Sequence, residues 1–228
     1  MSEANPVEQE KVGAVPTVDA VLVILVTFVL VLFLGSLFYL VLGSGLALVL
    51  SELLILIIPL GYMLIKHVNI KRYVGLDVTP KLVMLGFASG ALLLFVDIIV
   101  SVALTSIFGV SQAVEESNAI ITDLSTSTEG LIAVVAALAL AGVCEEFAFR
   151  GFLQSTLTRR YSFIPAVFAS AFVFGLFHFD IQLVYILSAL TAGLVLGYVY
   201  YRWNSYVVAA IAHSTVNLVV LVVLLFAG

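Results

Sequence analysis

Six polar or ionisable side chains interrupt otherwise apolar stretches of this chain: Glu145, Glu146, Arg150, His178, His213 and Asn217. Glu145 and Glu146 follow residues 130–144, which carry no charge. Glu146 and Arg150 are four apart, about 40° round a helix, and can pair along one face with the acid first. Glu145 is turned about 100° from Glu146, so that pairing leaves it a free carboxylate. His213 and Asn217 are also four apart, as are Phe174 and His178, where the phenyl ring can pack on the imidazole and fix its direction.

A carboxylate, two imidazoles and an amide are compatible with three chemistries. In hydrolysis, Glu145 acts as general base, His178 helps hold the water, and His213 and Asn217 donate to a developing oxyanion. A zinc site could draw on Glu145, His178 and His213, although no HExxH pair is present. A proton or ion relay would favour acids spread over several helices and broken or repeated spans, which the sequence lacks.

These residues need helices to position them. Of the 228 residues, 63% are hydrophobic and 10% charged, against about 25% charged in a soluble domain. The composition predicts an all-α polytopic integral membrane bundle, because apolar spans must satisfy their own backbone groups. About seven spans are expected, near 18–43, 46–66, 80–108, 130–157, 162–179, 182–202 and 205–227. Thr17, Thr79 before Pro80, Thr126 with Glu129, and Asn204–Ser205 read as helix starts. Residues 1–17 form a polar cytoplasmic tail without the marks of a cleaved signal, and 18–228 form one membrane domain whose motif-bearing core is 130–220.

Lys66, Lys71, Arg72, Lys81, Arg159, Arg160 and Arg202 gather at one end of the spans, whereas Glu115, Glu116, Asp123, Glu129 and Asp180 lie at the other. The positive-inside rule then predicts an N-in, C-out multi-pass protein of the cell membrane. Residues 109–129 become an external loop with room for a short surface helix. A net charge of −5 with no basic run argues against nucleic-acid partners.

Ionisable groups at membrane depth cost about 2.5–3.5 kcal/mol each, so each one suggests a function. At about 1.5 Å per residue from the basic turns, Glu145 lies about 21 Å in, His178 about 24 Å and Asn217 about 20 Å, with Arg150 and His213 at about 14 Å. The groups occupy one band, expected to open towards the cytoplasmic half. Glu52 and Asp97 have no partner at helical spacing and read as structural. Cys144 reads as a small packed residue. Tyr198, Tyr200, Tyr201 and Trp203 read as an interfacial aromatic belt.

The same residues resemble a family signature. Glu145-Glu146-Phe-Ala-Phe-Arg150 is similar to EExxxR, Phe174-Gly-Leu-Phe-His178 to FxxxH, and His213-Ser-Thr-Val-Asn217 to HxxxN of the CAAX protease and bacteriocin-processing family, also called CPBP or Abi. The resemblance covers about residues 130–220. It implies a glutamic-type intramembrane endopeptidase similar to the Ras-converting CAAX prenyl endopeptidase, which cleaves after a prenylated cysteine. Glu145 and His178 then correspond to the water-activating pair, His213 and Asn217 to the oxyanion-stabilising pair, and Glu146, Arg150 and Phe174 to supporting residues. The implied partners are the lipid bilayer and a membrane-associated protein or peptide, prenylated or not. No cofactor is expected, zinc being the alternative. A non-catalytic immunity or scaffold protein of the same family is the further alternative.

Overall fold

The structure, a computed structural model, describes residues 14–227. Most of the tail expected over 1–17 lies outside the described residues. The chain forms α1 (Thr17–Leu42), α2 (Ser44–Ile65), a short α3 (Ile70–Val74), α4 (Pro80–Phe108), α5 (Gln112–Leu124) and α6 (Thr128–Glu146). Without a break, α6 continues into a π-helical segment, Phe147–Gln154, and one further turn, α7 (Ser155–Thr158). Then follow α8 (Phe163–Phe177), α9 (Val184–Trp203) and α10 (Tyr206–Ala227). The described residues contain no strand.

Six of these stretches are long and apolar enough to cross a membrane: α1, α2, α4, α6 with its continuation, α9 and α10. The remaining expected span, 162–179, corresponds to α8, with 15 residues. At about 22 Å it is shorter than a hydrocarbon core of about 30 Å, so His178 at its end falls inside the bundle.

Local chemistry sets the helix starts. Thr79 accepts from the Leu82 amide at 3.2 Å, with Pro80 in the first turn. Two expected caps shift. Pro16, without a side-chain cap bond, precedes α1, and Thr17 is its first residue. Ser127 caps α6 by accepting from the Gly130 amide at 3.0 Å, while Thr126 Oγ1 donates back to the Asp123 carbonyl. Serine at 127 wins because Thr126 is already engaged in closing the preceding turn.

The column formed by α6 and the π segment is the axis of the molecule. On one side α6 packs against α2 and α10; α10 packs on α4, α4 on α9, and α9 on α8, which returns to the π segment. α1 packs against α2 and the π segment. Phe147, Phe149, Phe152 and Phe174 fill the centre, and every residue of the π segment is buried. By contrast, α1 and α4 turn Val, Leu, Ile and Phe outward, as lipid-facing helices do.

Candidate active site

Arg150 is the most enclosed charge. It is 0% exposed, its Nη1 donates to Glu146 Oε1 at 2.7 Å, its Nη2 donates to the Gly193 carbonyl at 3.1 Å, and its guanidinium lies 4.4 Å from the Phe174 ring centre. The pair expected from spacing is formed, even though the helix widens to π geometry immediately after Glu146. Nothing in FAFRGFLQ predicts that widening, a distortion often found at functional sites.

Close helix approach brings the partners within reach. A Cβ on Gly193 would stand 3.1 Å from Ala171 and 3.2 Å from Phe174 Cδ1, and one on Gly197 would stand 2.8 Å from Gln154 Oε1. These glycines, four apart on α9, let it pack tightly enough for their carbonyls to accept from Arg150 and Gln154. Gly142 does the same for α10, since a Cβ there would run into the Ser214 backbone nitrogen. The GxxxG pattern at 193–197 was the available sequence signal for this packing.

His213, brought in by α10, joins the two glutamates. Its Nδ1 lies 3.0 Å from Glu146 Oε1, and its Nε2 lies 3.8 Å from Glu145 Oε2. The first is a hydrogen bond; the second is a gap. Glu146 Oε1 therefore takes both Arg150 and His213, whereas Glu145 accepts no hydrogen bond among the described residues; the Oε2 atoms of both glutamates are buried without a partner. Glu52, on α2, also has a buried unpartnered Oε2 and lies within electrostatic reach of Glu145. This neighbour lies across a helix interface, where helical spacing could not reveal it.

His178 ends α8. Its Nδ1 is 3.0 Å from the Phe174 carbonyl, an acceptor only, so Nδ1 carries the proton and Nε2 offers its lone pair. The ring is braced by Phe174 at 4.7 Å and by Tyr185 at 5.0 Å. Phe174 thus acts through its carbonyl as well as its ring. Asn217 donates one amide hydrogen to the Leu138 carbonyl at 3.2 Å and keeps a second free. Cys144 is buried in the core and unbridged.

His178, His213 and Asn217 line one cavity of about 380 Å³, together with Phe174, Leu138, Asp97, Tyr185 and Ser188. Glu145 is not among the lining residues, and its nearest link to the cavity is His213. The remaining walls come from the second half of α4, from α5 and from the later turns of α10. The cavity therefore sits towards the end carrying the acidic loops. This corrects the expectation that the site opens on the basic side: the buried Glu146–Arg150 knot and the aromatic core fill that end.

A cover lies over this end. The segment 109–129, expected as a loop, is mostly α5, capped by Ser111. Ser111 Oγ donates to Asp180 Oδ2 at 3.0 Å, and the Gln112 amide donates to Gln182 Oε1 at 2.6 Å. Burial pushes the Asp180 carboxyl up. The N–H groups of Tyr185 and Gln182, the Ser111 hydroxyl and the Val184 N–H outweigh it and hold the group below the usual carboxylate range.

Among the described residues, no three His, Cys, Asp or Glu side chains are placed to hold a metal. Of the three residues considered for zinc, His178 and His213 line the same cavity and Glu145 is not among its lining residues.

The fold and site together define a class: a multi-pass helical membrane protein enclosing a carboxylate–imidazole centre beside an internal cavity. Residues 127–219, 93 of the 228, match the family model described as Type II CAAX prenyl endopeptidase Rce1-like. The matched stretch contains all of the motif residues. Comparison with curated proteins and with solved structures finds no match.

Proposed function

We propose that this protein is an intramembrane endopeptidase of the CAAX type that hydrolyses a peptide bond with a glutamate-activated water. The observation that carries this reading is the division of labour between adjacent glutamates: Glu146 is held through Oε1 by two donors, although its Oε2 is unpartnered, while Glu145 accepts no hydrogen bond among the described residues. A buried carboxylate with a free oxygen is available as a base.

In the proposed reaction, water held between Glu145 and the Nε2 of His178 gives its proton to Glu145 as its oxygen attacks the scissile carbonyl. The oxyanion accepts from the free N–H of Asn217 and from Nε2 of His213 in its protonated form. Glu146, at Nδ1, fixes the orientation of that ring. Glu145 then returns the proton to the leaving amine, and the C–N bond breaks. Glu145 must rotate past His213 to meet the substrate, consistent with catalytic contacts that tighten only in the substrate complex.

The likeness of residues 127–219 to the CAAX prenyl endopeptidase model supports a membrane-associated substrate, prenylated in the general case. The basic connections favour an N-in orientation in the cell membrane, and the cavity mouth then faces the opposite leaflet. The direct test is cleavage of a farnesylated CAAX peptide by purified protein. Glu145→Gln is expected to abolish cleavage with folding intact, and exhaustive chelation to leave the wild-type rate unchanged. Cleavage retained by Glu145→Gln sinks the mechanism; loss on chelation with recovery on zinc moves it to a metal. A scaffold protein would keep its biological effect with Glu145 and His178 both replaced.

A further inference from the structure

The catalytic cavity contains one carboxylate that the proposed reaction does not use. Asp97 projects from α4 as part of a stripe with Ser101 and Thr105, at successive turns, and all three line the cavity. Its Oδ1 accepts from Ser188 Oγ at 3.3 Å, and its Oδ2 makes no hydrogen bond and is not sealed off. Among the described residues, none of those lining the cavity is Lys or Arg. Arg150 cannot serve, since it is fully buried and paired.

A half-satisfied carboxylate at membrane depth is costly unless something in the cavity completes it. The complement it lacks is a cation. Its position relative to the histidines follows from α9. Tyr185 packs on the His178 ring and Ser188 binds Asp97, and these two α9 residues are separated by about 4.5 Å along the axis. The two contacts are therefore about one helical turn apart along α9, the length of one or two extended peptide residues at roughly 3.3 Å each.

We propose that Asp97 is an anionic subsite that receives a Lys or Arg side chain lying within two residues of the scissile bond. This rests on the proteolytic reading above and narrows its substrate class. The same charge pattern disfavours a free terminal carboxylate as the handle for recognition, because the cavity lining holds an Asp and, among the described residues, no Lys or Arg to meet it.

The test uses farnesylated peptides with Lys or Gln placed in turn at the residue before the farnesylated cysteine and at each of the two residues after it, each made as free acid and as C-terminal amide. Wild-type protein should cleave at least one Lys peptide with a kcat/KM at least tenfold above its Gln partner, equivalent to about 1.4 kcal/mol. Amides should do at least as well as acids. Asp97→Asn should erase the Lys preference, and Asp97→Glu, which keeps the charge, should retain it. Binding is measured separately with Glu145→Gln protein, where the same preference should appear in Kd. No preference in binding, or one that survives Asp97→Asn, overturns the subsite. An Asp97-dependent binding preference without any wild-type cleavage upholds the subsite and overturns the proposed activity.

Discussion

Replacing Arg150 by methionine removes a charge and keeps most of the volume, so it isolates the electrostatic part of the central knot. The guanidinium leaves behind Glu146, which is 0% exposed, and the face of Phe174. Truncating one member of a buried pair costs about 3–5 kcal/mol, because the other charge is stranded. Here His213 Nδ1 still donates to Glu146 Oε1, at 3.0 Å, which places the expected loss near about 3 kcal/mol. Arg150→Met combined with Glu146→Gln removes both charges and should recover much of this, giving a coupling of about 1.5–3 kcal/mol. The single cysteine provides the assay: Cys144 is fully buried, so a thiol-reactive dye reports thermal unfolding of detergent-purified protein. A loss under about 1 kcal/mol, or strict additivity in the double mutant, would refute a coupled buried pair.

Three more expectations concern the surrounding structure. Gly142→Ala should push α10 from α6, lowering peptide cleavage at least tenfold together with thermal stability; wild-type values of both would mean that the close approach to Ser214 is dispensable. Asp180 should stabilise the docking of α5 above its unfolded pKa of about 3.9 and lose that effect as pH falls through its lower folded value. The difference in amide exchange over residues 111–118 between wild type and Asp180→Asn should therefore shrink below about pH 4, and a constant difference across that range would count against the latch. Finally, Ser117→Cys, on the cavity wall, should react in intact cells with a membrane-impermeant maleimide. Labelling only after permeabilisation would reverse the proposed orientation.

Contacts within one helix were legible before the structure, and contacts between helices were not. The Glu146–Arg150 pair and the free Glu145 follow from angular spacing alone, and Phe174 beside His178 likewise. Helix positions were legible to within a few residues, since apolar runs and a Thr-Pro start mark them. Asp97 and Glu52 were passed over because what they face lies on α9 in one case and near Glu145 on α6 in the other. Depth counted from the turns placed the polar groups in one band, but which end of the bundle stayed open depends on which side chains fill the other. The aromatic residues of FAFRGFLQ do so, and their full enclosure follows from six elements converging on them.

That enclosure bears on how such chains are scanned for topology. A helix surrounded on every side by protein has no lipid to satisfy, so its composition is released from the demand for uniform oiliness that governs α1 and α4. Gln154, Ser155 and Thr156 can then sit beside Arg150 with none of them more than 5% exposed. A hydropathy profile registers this as the weakening tail of a span and is tempted to end the membrane there. In this molecule the dip marks the innermost layer instead, and polarity within a span is a measure of distance from lipid.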